Sequence, residues 1–186
     1  LSAKLNNALS LFKLGEIYYN GQNVERDYSK AINYYELSVK YGNKSALLNL
    51  IVLFENTKVD SKDKFYELPS EINTSDNLIF IGDCYYNGDG VLQNYNKAIH
   101  YYEKSAEQND INALVKLIVH FEKFNTSESF YELPPKLNNG DNLYNIGFIY
   151  YFGYNFQQNF YKAKHYFDLS ANKNNANGIL GLGNLY

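Results

Sequence analysis

Apolar residues recur along this chain at helical intervals. Leu11, Leu14 and Ile17 (or Tyr18) are spaced by three and four, which puts them on one helix face. Asn20-Gly21 supplies stop chemistry for that helix. A loop runs to Asp27 or Tyr28, and Ala31, Tyr34, Tyr35 and Ser38 then mark a second helix that ends near Gly42-Asn43. This paired pattern returns twice. The three segments are LGEIYYNGQNVERDYSKAINYYELS from Leu14, IGDCYYNGDGVLQNYNKAIHYYEKS from Ile81 and IGFIYYFGYNFQQNFYKAKHYFDLS from Ile146. The spacing predicts helices over 3–20, 28–41, 44–56, 75–87, 95–108, 110–124, 141–152, 160–172 and 176–186. Short helical turns are predicted near 62–67 and 128–133. Leu50 to Phe54 is β-prone in composition, but its register matches a helix of the repeat.

Gly15, Gly82 and Gly147 set the long period, with steps of 67 and 65 residues. The same register aligns Tyr18 with Tyr85 and Tyr150, Ala31 with Ala98 and Ala163, and Tyr34 with Tyr101 and Tyr166. A step of 36 from Gly147 reaches Gly183 in LGNLY, which echoes LGEIY; the same step from Gly15 and Gly82 lands on Ile51 and Ile118. Each long unit therefore holds one regular repeat and one shorter, degenerate repeat that ends in FYELP, at Phe65 to Pro69 and at Phe130 to Pro134. Internal periods of this length mark stacked-repeat architectures. Glycine inside a helix costs roughly 1 kcal/mol against alanine, so its return at Gly15, Gly82 and Gly147 points to close helix approach.

The motif LGxxYYxG, a long loop and then KAxxYYExS resembles the Sel-one-like repeat, a relative of the tetratricopeptide repeat. The resemblance is strong over 9–46, 76–113, 141–171 and the stub 179–186. It is weak over 47–75 and 114–140, where isoleucine replaces the signature glycine. It implies an all-α fold, a right-handed α-α superhelix (solenoid) of helix pairs, forming a single repeat domain over 1–186. Regular repeats are expected at about 9–46, 76–113 and 141–175, degenerate ones at about 47–75 and 114–140, and a partial one at 176–186. Members are generally not enzymes but adaptors that assemble complexes. The resemblance thus implies a non-catalytic scaffold with a protein or peptide partner. The rival reading is a structural spacer or self-assembly module of a larger protein, so self-association is an open option.

Composition narrows the classes further. Aromatic residues make up 17%, from 20 Tyr and 12 Phe with no Trp. Tyrosine buries its ring while its hydroxyl stays wet, which suits a thin, water-edged core. A net charge of −3, a pI of about 5.6 and the lack of any basic run argue against nucleic acid. No apolar run approaches the roughly 20 residues of a membrane span, so no membrane insertion is expected. A lone Cys84 fits a reducing compartment, which favours the cytoplasm. The chain starts at Leu1 and holds no Met, which reads as a piece of something longer.

Candidate chemistry is sparse. His100 and His165 share the slot that holds Asn33, which predicts a solvated helix face; His120 takes the slot of Leu53 and reads as partly buried. Cys84 replaces Ile17 and Ile149, the place of a small buried apolar residue. Glu36, Glu103 and Asp168 recur once per unit, as structural or solvated carboxylates do. Asn87-Gly88-Asp89-Gly90 lacks the ligand spacing of a calcium loop and reads as a turn. No catalytic residue, cofactor or metal ligand set is expected. The repeated Tyr18, Tyr85, Tyr150, Tyr34, Tyr101 and Tyr166 are assigned to the core. In related helical-pair repeats the other face of the first helix lines an inner groove. The positions three before, one after and four after the signature glycine give Phe12, Glu16 and Tyr19, then Ile79, Asp83 and Tyr86, then Tyr144, Phe148 and Tyr151. These nine are the candidate partner-binding residues; packing between adjacent turns is the alternative for them.

Overall fold

The structure, a computed structural model, describes residues 2–57, 65–125, 129–154 and 156–185. Among the described residues it holds nine α-helices and no strand. They are α1 (Ser2–Asn20), α2 (Tyr28–Lys40), α3 (Lys44–Thr57), α4 (Ser75–Asn87), α5 (Tyr95–Ala106), α6 (Ile111–Phe124), α7 (Gly140–Phe152), α8 (Phe160–Asn172) and α9 (Ala176–Gly183). The expected boundaries hold to within one to three residues, because the stop and start chemistry sits where the pattern breaks. Gly88 and Gly153 cap α4 and α7 in the left-handed conformation, with φ of 82° and 72°. Their amides donate to Cys84 O and Ile149 O at 2.9 Å, as Gly21 N does to Ile17 O. Asp27 and Asn159 cap α2 and α8 by accepting from Lys30 N and Lys162 N.

One expectation fails. The stretches 65–67 and 129–133, read as short helical turns, form neither helix nor turn; 62–64 and 128 lie outside the described residues. Pro69, Pro134 and Pro135 disfavour helix in the residues before them. The backbone of Tyr66 also spends its hydrogen bonds on a distant side chain, as described below.

The chain forms two compact units, Leu1–Tyr101 and Tyr102–Tyr186. In the first unit α1 packs on α2, α2 on α3, and α3 on α4. In the second, α6 packs on α7, α7 on α8, and α9 on both α7 and α8. The helix pairs share one internal plan. Gly15 and Gly147 let an aromatic ring of the partner helix lie against the backbone: a Cβ there would stand 2.5 Å from a ring carbon of Tyr35 or Phe167. Ser38 Oγ donates to Ala8 O at 2.6 Å, and Ser170 Oγ to Gly140 O at 2.7 Å. The loops are tied alike, with Asp27 N, Asn94 N and Asn159 N donating to Tyr18 O, Tyr85 O and Tyr150 O at 2.8 to 3.0 Å.

The six repeated tyrosines do not all become core. Tyr85, Tyr101, Tyr150 and Tyr166 are at most 2% exposed, whereas Tyr18 and Tyr34 are only half-buried. The pairs stack alike, at 5.6 Å for Tyr18–Tyr34, 5.8 Å for Tyr85–Tyr101 and 5.5 Å for Tyr150–Tyr166. What covers the second and third pairs is an FYELP segment, whose Tyr66 or Tyr131 backbone bonds to Tyr101 or Tyr166.

Candidate protein-interaction surface

The non-helical FYELP segments are straps clamped by the helix pair that follows them. In the first unit Tyr101 Oη accepts from Tyr66 N at 2.8 Å and donates to Tyr66 O at 3.1 Å. Phe65 stacks on His100 with ring centroids 3.6 Å apart, and Tyr66 Oη donates to Glu36 at 3.0 Å. In the second unit Tyr166 Oη donates to Tyr131 O at 2.9 Å, and Phe130 stacks on His165 at 3.7 Å. The expectation of a solvated face for His100 and His165 is therefore corrected. Both are half-buried beneath a strap phenylalanine, a contact that the one-residue exchange with the exposed Asn33 conceals.

A second repeated device joins the degenerate helix to the same pair. Glu55 Oε1 accepts from Tyr85 Oη at 2.5 Å and from Lys97 Nζ at 2.6 Å. Glu122 Oε1 accepts from Tyr150 Oη at 2.7 Å and from Lys162 Nζ at 2.8 Å. The ammonium groups lie over the Tyr85 and Tyr150 rings, 5.2 and 5.4 Å from the centroids. Burial, and then the carboxylate partner, push both hydroxyls far above the usual phenol range. The sequence reading missed Glu55 and Glu122, which lie in the degenerate stretches. A signal was present: Lys97 and Lys162 sit one residue before the fully buried Ala98 and Ala163, in a slot where an unpaired lysine would be costly.

All nine candidate groove residues are half-buried. In the first unit each aromatic among them meets its own helix pair: Phe12 with Tyr35 at 5.9 Å, Tyr19 with Tyr28 at 5.7 Å and Tyr86 with Tyr95 at 5.0 Å. Glu16 acts electrostatically on Tyr35, and Asp83 on Cys84. Ile79 lies one residue beyond the buried Leu78. In the second unit the aromatics join each other. Tyr144, Phe148 and Phe152 form a stripe along α7, with centroid steps of 6.1 and 4.5 Å. Tyr144 also packs on Phe167, and Tyr151 on Phe160 at 5.4 Å. Beside Tyr151 opens a concavity of about 440 Å³, lined further by Phe160, Tyr161, Lys164, Asn184 and Leu185.

The remaining candidates are structural. Cys84 is 4% exposed, and burial raises its thiol to about 11, far from a reactive thiolate. Glu36 holds a strap, and Asp168 pairs with Lys164 at 2.8 Å along its own helix. Burial and then Glu107 raise the Glu103 carboxyl. Among the described residues no group of three His, Cys, Asp or Glu is placed to hold a metal ion, and no helix is long and apolar enough to cross a membrane.

The histidines carry a pH prediction. Burial lowers the pKa of His165, against a smaller opposing effect of Asp168, and lowers that of His120, helped by Lys123. A folded-state pKa below the unfolded value of about 6.5 means that the unfolded chain binds the proton first. The associated stability is complete above that value and is lost as pH falls toward the folded one. The Tm is expected to drop between pH 7.5 and 5.5. A His120→Leu/His165→Asn variant is expected to show a smaller drop in the same scanning calorimetry. The raised Glu103 acts in the opposite direction in both proteins and cancels in the comparison.

Paired helices, recurrent capping glycines and a ring seated on a helix glycine define an all-α helical repeat protein. The profile of the Sel1 repeat matches residues 8–43, 78–110 and 143–175, more than half of the chain, and the protein belongs to the Sel1 repeat family. That family typically supplies non-catalytic scaffolds for protein interaction. Among curated proteins none matches the chain in sequence. Solved structures similar to it include a protective antigen of uropathogenic Escherichia coli displaying an SLR fold, at 24% identity and a TM-score of 0.34, covering 96% of this chain and 41% of that one. A Sel1 repeat protein from Oxalobacter formigenes is similar at 23% identity and a TM-score of 0.34, covering 97% and 79%. The chain thus spans about two fifths of the length of the E. coli antigen.

Proposed function

We propose that this chain is a non-catalytic scaffold that grips a protein or peptide partner, and that Tyr144, Phe148 and Tyr151 form the contact face of the second unit together with Phe152 and Phe160. The supporting observation is the aromatic stripe on α7 beside the 440 Å³ concavity. Phe152, Phe160 and Tyr161 are 51%, 53% and 69% exposed there, a density of open aromatic surface expected of binding anchors. Phe12, Glu16, Tyr19, Ile79, Asp83 and Tyr86 are the corresponding positions of the first unit. Their rings make the same contacts within their helix pairs but are not extended by a stripe like that of Tyr144, Phe148 and Phe152, so they serve as secondary contacts.

The test is quantitative affinity purification with mass spectrometry from the cell of origin, comparing the wild type with Phe148→Ala/Tyr151→Ala/Phe160→Ala. At least a tenfold loss of specific partners is expected, with helicity unchanged. Full recovery by the triple variant would overturn the assignment of this face. A self-assembly reading draws on Ile179 and Leu180 of α9, 62% and 60% exposed. It requires a molecular mass that rises with concentration in light scattering.

A further inference from the structure

The loops α4–α5 and α7–α8 share one backbone plan. Gly88 and Gly153 open them at positive φ, and Asn94 N and Asn159 N close them by donating to Tyr85 O and Tyr150 O. A Cβ at Gly88 would face Val91 O and Gln93 N, as one at Gly153 would face Phe156 O and Gln158 N. Val91 and Phe156 therefore occupy the same slot, and Leu92 and Gln157 the next one. The α1–α2 loop has Val24 and Glu25 there.

In the α7–α8 loop the slot holds a ring. Phe156 is half-buried and packs on Tyr150 at a centroid distance of 5.4 Å, and the hydroxyl of that tyrosine donates to Glu122. The α4–α5 loop keeps the matching bond from Tyr85 to Glu55 but puts an isopropyl group in the slot, and a cavity of about 430 Å³ lies there. Val52, Glu55 and Asn56 of α3 line one side of it, and Gly88, Val91 and Leu92 of the loop line the other. The rim departs from the repeat as well. Leu92 is 91% exposed, where the other two loops carry Glu25 and Gln157. The two departures act in the same sense, with room for a ring below and apolar contact above. The stretch that follows α3, KVDSKDK over 58–64, contains no aromatic residue and so does not supply that ring.

We propose that this cavity receives one aromatic side chain of a protein partner, seated against Val52 and Val91 with Leu92 over its edge. The third helix pair shows that a phenyl ring suits the slot, since Phe156 fills it from within the chain. A ring carries a large apolar surface on few rotatable bonds, which makes it the side chain best matched to a small site of this kind. Glu55, whose side chain is 34% exposed, adds a hydrogen-bond acceptor to the wall and disfavours an acidic neighbour of the ring. The proposal rests on the reading of the chain as an interaction scaffold, but not on the aromatic face of the second unit.

The test titrates the whole isotope-labelled chain with N-acetyl-phenylalaninamide and reads the methyl signals of Val52, Val91 and Leu92 by NMR. Saturable shifts at these residues are expected, and N-acetyl-alaninamide is expected to produce none. Val91→Phe fills the cavity from within, and it keeps the fold because the α7–α8 loop already carries phenylalanine in that slot. It is expected to abolish the shifts at Val52 and Leu92, with the helical circular dichroism unchanged. Leu92→Gln, which restores the residue type of the α7–α8 loop, is expected to raise the half-saturating concentration. No saturable shift up to the solubility limit of the probe overturns the proposal. So do equal shifts with the alanine compound, and shifts that persist in Val91→Phe. Shifts confined to α7 and α8 overturn this site and leave the aromatic face of the second unit standing.

Discussion

Glu122→Ala is expected to lower the stability of the second unit by about 3 kcal/mol, the lower end of the range for removing one partner of a buried ion pair. The lower end applies because the Glu122 side chain is itself 24% exposed and partly screened. The cost arises on the other side of the pair. Lys162 is 5% exposed, and Glu122 Oε1 is the acceptor for both its ammonium and the Tyr150 hydroxyl. Truncation leaves a cation and a donor in an apolar setting. At about 2–4 °C per kcal/mol for a chain of this size, the thermal midpoint falls by about 10 °C. Lys30→Ala is the control. The same slot is 57% exposed there, and the change is expected to stay within about 0.5 kcal/mol. A Glu122→Leu/Lys162→Met double variant should regain most of the loss, because apolar replacement of a buried pair is often neutral. Circular dichroism melts of the four proteins decide it: a loss below about 1 kcal/mol for Glu122→Ala means that water reaches Lys162 and that the pair does not hold α6 to α7 and α8.

The helices were legible because their signals are local. Period, Asn-Gly or Phe-Gly stops and Asp or Asn starts all act within one turn, and three copies of each reduce the ambiguity. The straps were not legible. Phe65 to Pro69 and Phe130 to Pro134 were visible as shared strings, but their conformation is set by Tyr101 and Tyr166, 35 residues further on. Read alone, Phe-Tyr-Glu-Leu offers no hint that a distant hydroxyl takes the backbone hydrogen bonds. The same long range hid the partners of Lys97 and Lys162, and it misplaced His100 and His165 on a wet face. The tyrosine pattern was legible as a pattern and misleading as burial, since Tyr18 and Tyr34 match the buried copies residue for residue. Residue type reports what a helix pair is able to bury; the neighbour that arrives decides whether it does. The groove candidates show the same limit. Tyr19, Tyr86 and Tyr151 all meet the first residue of the partner helix, Tyr28, Tyr95 or Phe160, so one sequence slot serves both packing and display.

Gly147→Ala is expected to destabilise the second unit by about 2–3 kcal/mol, even though alanine gains about 1 kcal/mol over glycine in helix propensity. The two effects act on the same methyl group, and geometry decides between them. The new Cβ would stand 2.5 and 2.6 Å from two ring carbons of Phe167, so the ring must retreat by about 1 Å to reach normal van der Waals distance. It has nowhere to go. On another side the same ring carbons lie 2.6 and 2.7 Å from the Cβ position of Gly181 on α9, and Tyr144 packs on the ring at a centroid distance of 5.7 Å. Phe167 is held between two glycine-lined helix surfaces, and overpacking there must shift α7, α8 or α9 as bodies. Gly183→Ala isolates the propensity effect. Nothing lies within 4 Å of a Cβ at that position, so the change is expected to be neutral or stabilising by up to about 1 kcal/mol. Urea denaturation of the two single variants separates the effects. If Gly147→Ala raises the midpoint as Gly183→Ala does, the ring of Phe167 is free to move and the close approach of α7 and α8 is not what the glycine provides.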